Sequence, residues 1–222
     1  MIKKLNKQQQ LYLLYTIFVT SLITANAITA KIFTLGFEVL KSPVTMTVGA
    51  ICYPITFLVT DIIGEKYGKK ESSFIVKVGF LCQVISSLLI LIASFLPAVV
   101  PSMQETYKAS FGQNWLFTIA SLTAYLISQS IDVFIFHKMK EKVSSKYKYV
   151  YNNLSTITSQ IVDTVVFSSI AFGLGSKWLF NKEGLFMLLA MIVGQSLIKI
   201  VIALLDTPFF YLFTRKDKQY MQ

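Results

Sequence analysis

Apolar residues run through this chain in six stretches, roughly 11–33, 44–64, 73–96, 115–137, 153–175 and 185–213, separated by short polar connections. A helix needs about 20 residues to cross a hydrocarbon core of about 30 Å, and each stretch reaches that length. The pattern predicts an all-α integral membrane protein, a single six-helix transmembrane domain over residues 1–222 with little left for a soluble domain. Polar residues interrupt these stretches in a repeated way: Ser128-Gln129-x-x-Asp132 with Phe136 recurs as Ser159-Gln160-x-x-Asp163 with Phe167. Gln and Asp three apart project from one helix face. An ionised carboxylate at the bilayer centre costs about 2.5–3.5 kcal/mol on insertion scales, so such groups face a bundle interior or a polar cavity. Two antiparallel segments carrying the repeat would present a composite amide-and-carboxylate surface. A ligand site is favoured over helix glue, because the repeat holds two acids with no adequate cation of their own.

The other polar positions refine this picture. The first segment repeats small residues at Ser21, Ala25 and Thr29, a spacing that lets membrane helices approach closely. Its Asn26 offers donor and acceptor to a neighbouring helix or to a polar ligand. Residues 34–43, with Gly36, Glu38 and Pro43, are expected to form an outer connection, partly dipped into the membrane. Pro54, in the middle of the second segment, predicts a kink or broken helix at membrane depth, a feature that often lines substrate cavities. Asp61 and Glu65 share a face one turn apart; Glu65 reads as paired or solvated at the membrane surface, and the deeper Asp61 as a site or gate candidate. The third segment is the most lipid-like, and its Lys77 can snorkel back to water. The fifth segment enters through Asn152-Asn153, and the sixth holds Gln195 and Lys199 deep in the bilayer before Asp206-Thr207-Pro208. Lys199 is expected to pair with a carboxylate of the fourth or fifth segment, or to be displaced by substrate.

Composition agrees: 54% of the 222 residues are hydrophobic and 14% charged, beyond the usual balance of a soluble domain. The basic residues sort by side. Lys3, Lys4, Lys7, Lys66, Lys69, Lys70, Lys138, Lys140, Lys142, Lys146, Lys148, Arg215, Lys216 and Lys218 fall on one side; Lys31, Lys41, Lys108, Lys177 and Lys182 fall on the other. The positive-inside rule then places both termini in the cytoplasm and explains the net charge of +10 without a nucleic-acid partner. The first apolar run is too long for a cleaved signal peptide and is expected to be retained. Cys52 and Cys82 read as small packing residues, and His137 ends the fourth segment at the cytoplasmic edge, so neither a metal nor a cofactor is expected.

Three runs together resemble the queuosine precursor transporter family, formerly the vitamin uptake transporter family. They are Tyr53-Pro54-Ile55-Thr56-Phe57-Leu58-Val59-Thr60-Asp61 with Glu65 and Tyr67-Gly68-Lys69-Lys70; Ala120-Ser121-Leu122-Thr123-Ala124-Tyr125-Leu126 with Gln129 and Asp132-Val133; and Asn152-Asn153-x-Ser155-Thr156 with Gln160 and Asp163-Thr164. Ala25-Asn26 and Thr207-Pro208 followed by Tyr211 extend the likeness over all six segments. The resemblance implies a six-helix inner-membrane importer of 7-deazapurines: queuine, or the aminomethyl or nitrile deazaguanine precursors of queuosine. It also implies a fold similar to the substrate-binding subunits of energy-coupling-factor vitamin transporters.

With that substrate, one of Asp132 and Asp163 would read the purine edge while the other meets an aminomethyl cation or takes up a proton. Gln129, Gln160 and Asn26 would supply amide contacts, and Phe57, Tyr125 or Phe167 would stack on the base. Asn153, Asp61 and Lys199 complete the candidate set. The alternatives are a partner-dependent subunit of an ATP-driven vitamin importer and a membrane enzyme. No Walker motif and no nucleophile–base pair occurs, which argues against catalysis by this chain. The expected partners are the deazapurine and the lipid bilayer; the oligomeric state stays open, a homodimer included.

Overall fold

The computed structural model describes residues 5–29, 31–39, 42–111 and 115–214, and among these it holds six helical spans long and apolar enough to cross a membrane. Lys3, Lys4, Lys41, Arg215, Lys216 and Lys218 of the charge pattern lie outside the described residues. The bundle opens with α1 (Lys7–Ala27), whose start precedes the apolar run because Asn6 and Gln9 form a capping box. Asn6 Oδ1 accepts from the Gln9 N–H at 2.8 Å and Gln9 Oε1 from the Asn6 N–H at 3.0 Å, satisfying two backbone donors that the first turn leaves free.

The helix stops at Ala27, well short of Phe33, because the chain turns into a β-hairpin of β1 (Ile32–Val39) and β2 (Ser42–Thr47). This corrects the all-α expectation outside the bundle and the reading of 34–43 as a plain connection. Its β-branched and aromatic residues suit a pleated surface, but at this length an apolar run fits a helix equally well. The antiparallel register pairs Ile32 with Thr47 and Val39 with Ser42, and slips between Thr34 and Glu38, where Gly36 takes φ of +76°.

A short 3-10 turn (Val48–Ile51) leads into α2 (Tyr53–Lys66). Pro54 lies in the first turn of α2, where its missing N–H has no intrahelical acceptor to lose. The proline therefore starts the helix instead of kinking its middle, and the break in this span falls at Cys52. Thr56, Phe57 and the run 59–64 are all buried. A helix buried all round belongs at the centre of its bundle, and α2 packs against α1, α3 (Lys69–Phe95), α5 (Trp115–Lys140) and α7 (Lys182–Thr214).

Gly68, at φ +93°, makes the turn from α2 to α3 that a side chain would strain. The outer face of α3 exposes Leu81, Ile85, Leu88, Leu89 and Ile92, as a lipid-facing helix should, and Lys77 is exposed as expected. Between α3 and α5 the expected loop contains a helix, α4 (Pro101–Phe111), which buries none of its residues. His137 lies in the last turn of α5, at the lysine-rich end as expected; it is buried, 3.1 Å from Ser72 Oγ. The sixth element, α6 (Lys148–Ser168), continues as a π-helical turn (Ser169–Leu174), and α7 runs through Pro208 to Thr214.

The core splits by chemistry. One apolar cluster joins α1, α2, α3 and α5 through Phe18, Leu22, Val59, Ile63, Ile75, Val76, Tyr125 and Val133. A second, of Ile62, Phe136, Tyr151 and Phe210, closes the lysine-rich end. In contrast, α6 turns a polar face inward: Asn152, Ser155, Thr156, Ser159, Gln160, Asp163, Thr164 and Ser168 are all buried. Their three-and-four spacing is the amphipathic pattern inverted, polar side to the interior.

Candidate functional site

The two copies of the repeat meet. Ser128 Oγ of α5 donates to Asp163 Oδ1 of α6 at 3.3 Å, and Ser159 Oγ of α6 donates to Asp132 Oδ1 of α5 at 3.0 Å. The serine of each motif thus holds the carboxylate of the other, a reciprocal pair of bonds between the two helices. Beyond these bonds the acids part company. Asp163 lies about 22 Å along α6 from Lys148, whereas Asp132 lies only about 12 Å from Lys140, at 1.5 Å of rise per residue.

At the deeper level, Lys199 Nζ of α7 donates to Asp163 Oδ2 at 2.9 Å, and both side chains are buried. This is the pairing the sequence led us to expect. The ammonium also lies 5.7 Å from the centre of the Tyr53 ring, within cation–π range. The pair faces a cavity beneath the hairpin. Asp163, Thr164 and Phe167 of α6, Ser121 of α5, Gln195 and Lys199 of α7, and Tyr53 of α2 line it, with Ile32, Thr45, Met46 and Thr47 of the hairpin above.

The wall is aromatic. Phe172, on the π-helical turn, stacks on Trp178 with ring centres 5.5 Å apart and meets Phe167 edge-on at 6.3 Å. π-Turns recur at functional sites because the extra residue re-aims a side chain. Gln195 Nε2 donates to Thr45 O at 2.9 Å and ties the hairpin to α7, and Gly194 sits so close under Val44 that an added Cβ would come within 2.8 Å of it. The arrangement offers an acid, an ammonium, hydroxyls and a carboxamide around flat apolar faces, which suits a planar heterocycle with a polar edge.

Toward the lysine-rich end lies a second polar cluster, outside the lining of that cavity. Asp61 of α2 and Asp132 of α5 are both buried there, each holding a hydroxyl from the same face of α6. Thr156 Oγ1 donates to Asp61 Oδ2 at 3.0 Å, and both polar atoms of Gln129 are buried without a partner among the described residues. One turn further along α2, Glu65 accepts from Lys140 at 2.8 Å and Lys148 at 2.6 Å, so the expected pairing holds, with lysines from α5 and α6. Lys140 Nζ also reaches Gly64 O and Glu65 O, capping carbonyls at the end of α2.

Of the expected site residues, the structure brings Asp163, Phe167 and Lys199 to the cavity wall. Asn26 stands behind it, its Oδ1 accepting from Ser121 Oγ at 2.8 Å. Asp61, Gln129 and Asp132 are buried outside the cavity wall, and Gln160 is buried on the same face of α6 as Asp163. Phe57 is buried in α2, Tyr125 donates its hydroxyl to Val76 O at 2.9 Å, and Asn153 Oδ1 accepts from Thr207 Oγ1 at 2.7 Å, tying α6 to α7. Sequence reasoning missed Tyr53, Ser121, Phe172 and Trp178 as lining residues. Tyr53 and Ser121 stood inside the quoted motifs and could have been found there; Trp178 lies in a short connection with no such signal.

Gly49 packs against Ala25 and Thr29, where an added Cβ would overlap Ala25 O and Thr29 Oγ1, so the small-residue spacing of α1 is used within the chain. Among the described residues no group of three or more His, Cys, Asp and Glu gathers as a metal site would require.

Residues 47–213 match the family described as "Putative vitamin uptake transporter". Over 177 residues the chain is 30% identical to a protein of Bacillus subtilis (strain 168) described as "Probable queuosine precursor transporter", a span that covers 75% of this chain and 71% of that one. No solved structure matches the chain.

Proposed function

This chain belongs to the queuosine precursor transporter family, a family of membrane transporters and not of enzymes, and from that premise we propose that it imports 7-deazapurines. The substrates proposed are queuine and the aminomethyl or nitrile deazaguanines that precede queuosine. The observation that carries the reading is the Asp163–Lys199 pair facing an aromatic-walled cavity. A 7-deazaguanine has a ring N–H and a 2-amino group beside a carbonyl. Asp163 accepts from the two donors, Lys199 donates to the carbonyl, and Gln195 and Thr164 take the remaining polar positions. Trp178, Phe172 and Phe167 hold the ring plane, while Asn26 acts through Ser121.

By the positive-inside rule the lysine-rich end faces the cytoplasm with both termini, which puts the cavity toward the outer side of an inner membrane, where an importer meets its substrate. The fold is proposed to be similar to that of energy-coupling-factor substrate-binding subunits, with this chain working alone. The test is uptake of labelled queuine and of both precursors by cells that lack their own synthesis and transporter and express this chain alone. Accumulation of one compound supports the reading and names the substrate. Accumulation of none, with the protein confirmed in the membrane, would shift the reading to a partner-dependent vitamin subunit, which co-purification with an ATPase module would identify.

A further inference from the structure

Asp61 of α2 and Asp132 of α5 are 2% and 0% exposed and lie outside the cavity wall. Hydroxyls one turn apart on α6 hold them, Thr156 on Asp61 and Ser159 on Asp132, each at 3.0 Å. Both hydroxyls project from one face of α6, so the two carboxyl groups they hold are neighbours in the bundle interior. Like charges buried side by side disfavour joint ionisation, so two neighbouring carboxyls in this interior are held most stably with one proton between them. Asp132 Oδ2 is itself buried without a hydrogen-bond partner among the described residues, a costly place for a full negative charge. Gln129, on the same face of α5 and 1% exposed, leaves both its amide atoms unpartnered.

The groups around the pair do not replace that proton. Asp206 of α7 adds negative charge and Tyr151 of α6 a neutral hydroxyl. Lys199 is committed to Asp163, and Lys140 and Lys148 to Glu65, one turn further along α2. His137 of α5 is held by Ser72 of α3. From α1 and α3, Phe18, Leu22 and Ile75 pack against α2 here, and Tyr15 donates to Glu71 at 2.7 Å.

We propose that Asp61 and Asp132 form a proton-binding site whose loading is coupled to substrate at Asp163, so that the chain is a proton–substrate symporter. This rests on the transport reading above. The coupling element is the reciprocal serine–aspartate pair between α5 and α6. A shift of α5 against α6 that frees Asp163 from Ser128 to receive substrate also displaces Asp132 from Ser159. The two carboxylates then respond to one motion, which is what linkage between two sites requires. One proton binds with each substrate molecule and is released after it, and the substrate undergoes no bond change.

The test uses the full chain in sodium-free proteoliposomes with a pH-sensitive dye inside and labelled queuine outside. The wild-type protein should carry about one proton per substrate molecule, and an imposed inward proton gradient should drive accumulation above equilibrium. In Asp132→Asn and Asp61→Asn the ratio of protons to substrate should fall by about tenfold or more. Substrate entry without proton movement, entry that requires sodium, or an unchanged ratio in both variants would overturn the proposal.

A second measurement needs no transport. Infrared spectra of the purified wild-type protein should show the carbonyl stretch of a protonated buried carboxyl, lost in each variant; its absence from the wild type also overturns the site. That band in a protein that moves no deazapurine would sustain the site and sink the choice of substrate.

Discussion

Asp163 and Asp132 occupy equivalent places in one repeated motif on one helix pair, yet their surroundings are opposite. Asp163 meets an ammonium and a cavity; Asp132 is buried beside a second acid. The difference comes from the third helix each acid faces: α7 supplies Lys199 at one level, and α2 supplies Asp61 at the other. A motif fixes which side chains share a face, whereas the neighbouring helix decides what a carboxylate does there.

The strongest way to break this contrast is Asp163→Asn, which should abolish uptake while the folded protein remains in the membrane. Full uptake by that variant would remove Asp163 from the site, and loss of the folded protein would mean that it serves packing. Next is Lys199→Met, which strands a buried carboxylate and should reduce uptake by about a hundredfold, the equivalent of about 3 kcal/mol. Adding Asp163→Asn to Lys199→Met should restore the detergent melting temperature but not the uptake; a double variant that melts like the single one would show that the pair is not the source of the loss.

A smaller effect is expected of the aromatic wall. Trp178→Ala should weaken the apparent affinity for substrate by about fivefold, near 1 kcal/mol for one lost stacking contact, with the maximal rate changed less. An affinity equal to wild type would place the substrate elsewhere in the cavity. The smallest change sharpens the other half of the contrast. Gln129→Leu removes a buried amide with no protein partner, so it should raise stability by about 1 kcal/mol while lowering uptake. A drop in stability would reveal a partner for Gln129, such as a bound water.

Much of this contrast could be read before any coordinates. The six spans followed from the length of the apolar runs, and the pairing of Lys199 from the cost of an ammonium at that depth. Ser128 and Ser159 were visible as parts of the repeat, but which acid each would hold depends on how far α6 slides along α5, and periodicity carries no information about that register. The placing of Asp61 beside Asp132 was hidden for the same reason, since it depends on α2 lying against α5. The hairpin was missed because Ile32, Phe33 and Val44 are as compatible with a membrane helix as with a strand. The aromatic wall depended on the π-helical turn, whose extra residue leaves no mark in hydropathy.

The clasp on Glu65 ties the lysine-rich ends of α2, α5 and α6 together through two ion pairs and the carbonyl contacts of Lys140. Rods fastened at one end behave as levers. Rotation about that fulcrum displaces Asp132 little and Asp163 more, because the two lie about 12 Å and about 22 Å along their helices from Lys140 and Lys148. The same anchor therefore lets one tilt reach both acids while magnifying movement at the cavity, and a few degrees can open a gap there that the fulcrum never registers.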